Sequence, residues 1–286
     1  MALALFSPRG RQHSWSTRLK PQLTESTNVR KLLAIFSVLL LGAAPPFAMQ
    51  GIGGKAGIGG KAGFGGGSKT FNPNYLTGGG CETGTGSCTV TLSVTAGQFA
   101  VCGVGSNSVP TNTLSCTDAH GDTLTNQPTS NPYLDSGVAI GGLFLGTMGA
   151  TESEVFTCHV TNTANFMGCI VAIYSGTPTS GWDVAVAGAH YAVSSCPCAA
   201  TSGTSAGTAN ANELGIGLFV TGNSSTAITW AGTNGWNFRV QSTLAGPISV
   251  ALVDKTLSST GAQTATATAG NATVTAGGLG MVSTIK

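Results

Sequence analysis

Gly203-Thr204-Ser205-Ala206-Gly207 matches G-x-S-x-G, the turn that exposes a nucleophilic serine between a strand and a helix. That fold places its histidine after the serine, whereas His13, His120, His159 and His190 all precede Ser205. The opposite order, with His120 or His159 as base, Asp183 behind it and Ser205 attacking, would suit a chymotrypsin-like protease. Residues 203–207 lack the nucleophile loop that builds its oxyanion hole, so neither triad is expected. Gly51 to Ala56 ends in Gly-Lys-Ala and lacks the hydroxyl with which a phosphate-binding loop holds magnesium.

Glu152 and Glu154 sit two apart and would share one face of a strand. Glycosidase carboxylates face each other across a cleft instead, so the pair reads as a solvated strand edge. Asp118 and Asp122 bracket His120-Gly121 in a tight turn, where aspartates cap backbone amides. Calcium is the functional alternative there, although two carboxylates fall short of its usual ligand number. No catalytic residue and no cofactor is assigned, and the balance of these motifs is against an enzyme.

The aromatic residues point toward a partner. Trp182, Trp230 and Trp236 stand in Gly- or Ser-rich, turn-like settings, where an indole stacks on a sugar ring or docks a protein. Trp236 leads because Gly235 and Asn237 flank it and Arg239 is near enough to hydrogen-bond a ligand; Trp182, between Gly181 and Asp183, follows. The competing expectation is that these rings close the ends of a sandwich core, since most large aromatics are mainly buried.

Eight cysteines (Cys81, Cys88, Cys102, Cys116, Cys158, Cys169, Cys196, Cys198) follow an export signal, so disulfides are expected. Eight cysteines allow 105 connectivities. Cys102 and Cys116, and likewise Cys158 and Cys169, flank turn-like segments. Cys196-Pro197-Cys198, with His190 nearby, lacks both the paired ligand spacing of zinc and the C-x-x-C of a redox site, so a loop bridge is expected rather than a metal.

The export signal is Arg30-Lys31, the apolar run Leu32 to Leu41, and small residues leading to cleavage after Ala48. The run falls well short of the ~20 residues of a membrane span. Residues 1–28 carry Arg9, Arg11, Arg18 and Lys20 without structural pattern and are expected to be a spurious extension, with initiation at Val29. The net charge of +2 over the whole chain reflects the residues before position 49: residues 49–286 hold six basic and nine acidic side chains, a net charge of −3, and residues 71–286 hold three against nine, or −6. An electrostatic nucleic-acid footprint is therefore excluded.

Residues 49–70 contain Gly51-Ile52-Gly53-Gly54-Lys55-Ala56, its repeat over Gly57 to Ala62, and a degenerate third copy from Gly63. Glycine this dense reads as a flexible tether, with Ile52, Ile58 and Phe64 as the features of an arm that docks on a neighbouring subunit. From Phe71 the period is two. Cys88 to Val94 alternates apolar and hydroxyl side chains, and further strands are predicted at 99–104, 113–116, 138–145, 155–160, 169–174, 184–189, 214–220, 248–253, 264–268 and 281–285. Residues 71–286 are thus expected to form an all-β antiparallel sandwich, with two smaller sandwiches joined near 176–181 as the alternative.

Five stretches resemble a class of poorly characterised secreted bacterial β-sandwich domains found beside fibronectin-type modules. They are Asp118 to Thr123, Ile173 to Gly176, Ala211 to Leu214, Gly235-Trp236 with Arg239, and Ser258 to Gly261 before Thr264 to Thr268. Asp122 stands where asparagine is expected, and the Cys196 to Cys198 loop is an insertion. The resemblance implies a jelly-roll-like fold and an extracellular setting, and no reaction. The expected function is a secreted or periplasmic surface module that binds a glycan or another protein through one sandwich end. The rivals are an assembly protein that oligomerises through the Gly-rich arm and a secreted hydrolase with an unrecognised site.

Overall fold

Strands covered on both faces lose the polar alternation of half-exposed strands and become continuous apolar runs. Phe99 to Ser106, Ala139 to Gly146, Met167 to Tyr174, Leu214 to Gly222, Ile248 to Asp254 and Gly278 to Ile285 are such runs, and every residue in them is buried. Six strands buried on both faces require layers above and below them. The computed structural model describes residues 71–107, 112–127, 133–135, 139–161, 166–178, 181–191, 196–222, 227–242, 247–270 and 277–286. The expected export signal, the Gly-rich stretch 49–70 and Val138 lie outside the described residues.

Among the described residues seventeen strands run in order: β1 (Asn74–Thr83), β2 (Ser87–Val94), β3 (Phe99–Asn107), β4 (Leu114–Asp118), β5 (Thr125–Gln127), β6 (Tyr133–Asp135), β7 (Ala139–Thr147), β8 (Glu152–Val160) and β9 (Met167–Ser175). Then follow β10 (Trp182–Tyr191), β11 (Cys198–Thr208), β12 (Leu214–Gly222), β13 (Thr229–Gly232), β14 (Asn237–Gln241), β15 (Ile248–Thr256), β16 (Gly261–Gly270) and β17 (Gly278–Ile285). They pair antiparallel throughout, into sheets ordered β1-β9-β3-β7-β5 (with β6 on β7), β2-β8-β4, β10-β17-β12-β15-β14 and β11-β16-β13.

The two halves repeat one topology. Replacing β1, β9, β3, β7 and β5 by β10, β17, β12, β15 and β14 turns the first large sheet into the second, and β2-β8-β4 becomes β11-β16-β13 by the same shift. The entry to the central strand recurs in atomic detail. Thr95 N donates to Gln98 Oε1 (2.8 Å) and Asn210 N to Glu213 Oε1 (3.1 Å). Met148 N donates to Gln98 O and Leu257 N to Glu213 O, both at 2.8 Å. Gly97 and Asn212, the matching turn residues, both have left-handed φ, at +84° and +68°. The sandwich expectation holds, and the boundary near 176–181 separates two equivalent units that share a core.

The result is four layers, small sheet, large sheet, large sheet, small sheet, with a core in each of the three gaps. The central core joins Val101, Leu143, Ile170 and Tyr174 of one half to Ile216, Leu218, Val250 and Leu252 of the other. An approximate twofold relates the halves: β3 contacts β15 as β12 contacts β7, β9 contacts β15 as β17 contacts β7, and β1 contacts β14 as β10 contacts β5.

All eight cysteines pair, as Cys81–Cys88, Cys102–Cys116, Cys158–Cys169 and Cys196–Cys198. The second and third each tie the large sheet to the small one in the first half, and they stack, with Cys102 Sγ 3.4 Å from Cys158 Sγ. The second half closes the same gap by packing instead. A Cβ on Gly217, which stands where Cys102 does, would come within 2.6 Å of Ala265 Cβ, and Ala267, Phe219 and Trp230 fill the rest.

Glu82 on β1 is wedged against the second half, where Ser242 Oγ donates to its Oε1 while its Oε2 is buried without a hydrogen-bond partner among the described residues. Burial pushes this carboxyl up to about 7, against the opposing pull of Ser242. A raised carboxyl pKa contributes stability that is full below the ordinary value near 4.5 and is lost as pH rises through about 7. The melting temperature of Glu82→Gln should therefore rise relative to the unaltered protein between pH 5 and pH 8, by roughly 2–4 °C per kcal/mol in a domain of this size. Parallel pH profiles for the two proteins would refute this.

Candidate functional site

Three constellations merit comparison: the acidic turn, the hydroxyl-flanked Ser205, and the tryptophans. Asp118 ends β4, and its Oδ1 accepts the amides of His120, Gly121 and Asp122 at 3.1, 2.6 and 2.9 Å. Asp122 Oδ2 accepts Gly149 N at 2.8 Å. These contacts match the expected capping role of both aspartates. The solvated edge expected for Glu152 and Glu154 is corrected: the Glu154 side chain is 0% exposed, and the turn folds His120 onto both carboxylates. His120 Nδ1 lies 2.8 Å from Glu154 Oε2 and its Nε2 lies 2.9 Å from Glu152 Oε2.

The hydrogen bond to Glu154 raises His120 above the ordinary imidazole value. Burial pushes Glu154 up, but the amides of Ala119 and Val155 and the His120 ring outweigh it, leaving the carboxyl below its usual range. His120, Glu152 and Glu154 are thus the side chains here whose donor atoms converge closely enough to hold a metal. With both ring nitrogens aimed at carboxylates, they also form a self-sufficient ion-paired clamp between turn and strand. The sequence pattern missed it because His120 and Glu154 are far apart in the chain and meet only when β4 pairs with β8.

Ser205 lies inside β11, not on an elbow. It is buried, its Oγ donates to Ala206 O (2.8 Å) and accepts Gln263 N (3.0 Å), and no histidine is among its partners. Asp183 is ion-paired with Lys286 and accepts the Ala209 amide, so it is tied up at the chain end.

For two of the three tryptophans the core expectation holds and the ligand-binding one is corrected. Trp236 is 4% exposed and Trp230 6%, both in the gap between β10-β17-β12-β15-β14 and the small sheet. Asn234 and Gly235 do form a turn, with φ of +53° and +82°, but the ring after it points inward onto Gly215. Arg239 does not face solvent as a free donor. Its Nε donates to Asp254 Oδ2 at 2.7 Å and its guanidinium lies 5.0 Å from the Tyr75 ring centroid.

Trp182 differs. It opens β10 half-buried, packs against the central core, and donates its Nε1 to Thr125 O at 3.3 Å. Beside it lies a cleft of about 290 Å³ walled by Thr123, Thr125, Thr147, Leu145, Gly146 and Pro178 along with Gly181. The lining combines one indole and three hydroxyls, with no charged side chain among the described residues. Such a wall can stack on a ring and hydrogen-bond its hydroxyls. Comparison with known proteins returned no matching family model, no matching curated protein and no matching solved structure.

Proposed function

We propose that this chain is an exported, non-enzymatic glycan-binding module. The observation that carries the reading is the uncharged cleft beside Trp182, whose aromatic and hydroxyl lining suits a sugar and supplies no catalytic group. Supporting it, the side chains that sequence motifs offered for catalysis are engaged elsewhere: Ser205 in strand hydrogen bonds, Asp183 with Lys286, and His120 with two glutamates. Four disulfides fit an oxidising compartment outside the cytoplasm. Export through the Arg30 to Ala48 signal, with the Gly-rich arm as tether, completes the proposal.

The test is retention of the purified protein on insoluble polysaccharides, with the supernatant assayed for released sugar. Retention on at least one polysaccharide without release is the expected result. Turnover of any of them into soluble sugar would replace this reading with the hydrolase, and no retention on any would remove it.

A further inference from the structure

The approximate twofold places a second copy of the Trp182 site within the same molecule, and the two copies differ in one informative way. Tyr75 occupies in the first half the position of Trp182 in the second. Tyr75 pairs with Tyr174 and Trp182 with Ile285, each just before a bulge, and Tyr174 and Ile285 in turn pair with Phe99 and Leu214 at the start of the equivalent strands β3 and β12. Each ring reaches across to the outer strand of the opposite half. Tyr75 Oη donates to Arg239 O (3.2 Å) as Trp182 Nε1 donates to Thr125 O (3.3 Å).

Beyond this shared frame the surroundings diverge. On the Tyr75 side, β14 bulges between Phe238 and Val240, and the extra residue, Arg239, spreads its guanidinium over the ring with Asp254 holding it. On the Trp182 side, β5 pairs with β7 through Thr125, Asn126 and Gln127 without a bulge, so no residue corresponds to Arg239. Leu145 stands where Asp254 does, opposite Val101 as Asp254 is opposite Ile216, and Gly146 stands where Lys255 does. The anchor for an arginine and the neighbouring lysine are therefore both absent, and the space that a side-chain plug fills in one copy is the cleft in the other.

We infer that the Trp182 cleft is a subsite for one neutral pyranose ring, stacked on the indole where Arg239 covers Tyr75 in the other copy, with Thr123, Thr125 and Thr147 facing the sugar hydroxyls. This rests on the glycan-binding reading above and adds the location and the charge class of the ligand. A flat group over an aromatic face is the geometry that Arg239 already displays. The loss of Asp254's counterpart removes the carboxylate that would select a cation, and a wall without arginine or lysine gives an anionic sugar no counter-charge. The −6 balance of residues 71–286 further disfavours polyanions.

The experiment compares retention on neutral insoluble polysaccharides (cellulose, chitin, mannan) with retention on charged ones (cross-linked alginate and polygalacturonate), for the unaltered chain and three variants. Thr125→Arg rebuilds the plug from an exposed strand position and leaves the core intact; Trp182→Ala removes the platform; Trp182→Phe keeps an aromatic face. Binding to a neutral polysaccharide that falls at least tenfold in Thr125→Arg and Trp182→Ala and is largely kept in Trp182→Phe is the expected result. Trp182 also packs on the core, so Thr125→Arg, with an unchanged melting temperature, decides if the alanine variant is poorly folded. Neutral-polysaccharide binding untouched by Thr125→Arg, or a preference for the charged polymers, would overturn this assignment while leaving glycan binding in place. Absence of binding to every polymer would remove the glycan reading itself.

Discussion

Removing the two stacked bridges, as Cys102→Ala/Cys116→Ala together with Cys158→Ala/Cys169→Ala, lowers the stability of the protein by about 3 kcal/mol per bridge, the chain-entropy cost of closing loops near fifteen residues. At roughly 2–4 °C per kcal/mol this is a drop on the order of 10–20 °C in melting temperature for the pair. The effect is large because both bridges cross between layers, from β3 to β4 and from β8 to β9, with sulfurs in the buried core. It is also local. The second small sheet is held by Ala265, Ala267, Phe219 and Trp230, and its remaining disulfide, Cys196–Cys198, spans only two residues. Hydrogen exchange in reductant should therefore show β2, β4 and β8 losing protection before β11, β13 and β16. An unchanged melting midpoint in reductant would contradict the account, as would simultaneous loss in both small sheets.

Trp230→Ala is the counterpart in the second half and is expected to cost about 3–5 kcal/mol, as truncation of a buried aromatic does. The indole stacks on Phe219 at 5.7 Å between ring centroids and donates its Nε1 to Ser249 Oγ at 3.0 Å. Alanine leaves a cavity between two layers, in a cluster where Ala200, Ala265, Ala267 and Ala269 are too short to fill it. Trp230→Phe keeps the stacking and loses chiefly the hydrogen bond, so about 1–2 kcal/mol is expected. Urea titration of the two variants reads both numbers. A loss below about 1 kcal/mol in the alanine variant would place the ring outside the core.

The contrast among the tryptophans shows what local sequence can and cannot carry. Gly235 and Asn237 announce a turn around Trp236, and the backbone turns there. Whether the ring then faces solvent or the layer beneath depends on whether a layer lies beneath, and that is decided by β16 and β13, which are formed from other segments. Trp182 has a similar Gly neighbour, yet its surroundings come from β5, β7 and the residues before β10.

The strand alphabet of this protein is written locally. Period-two alternation marks β2, β8 and β16, and unbroken apolar runs mark β3, β7, β9, β12, β15 and β17, because a strand's two faces meet whatever covers them residue by residue. β1, β5, β6, β11, β13 and β14 escaped that reading. β11 is built from small hydroxyl and glycine residues, so Ala200, Ser202, Ser205 and Thr208 face inward without an apolar signature. β1 carries Gly78, Gly79 and Gly80 because neighbouring chains leave no room: a Cβ on Gly80 would lie 2.6 Å from Gln241 O. Cysteine count, charge balance and the all-β class are properties of composition and periodicity, and the sequence alone determined them. The His120 clamp, the burial of Trp230 and Trp236, and the opening beside Trp182 were decided only in three dimensions. Each depends on residues more than ten positions apart brought together by strand pairing or by the twofold packing of the two halves, and the halves keep their common topology with side chains too different to reveal it in the sequence.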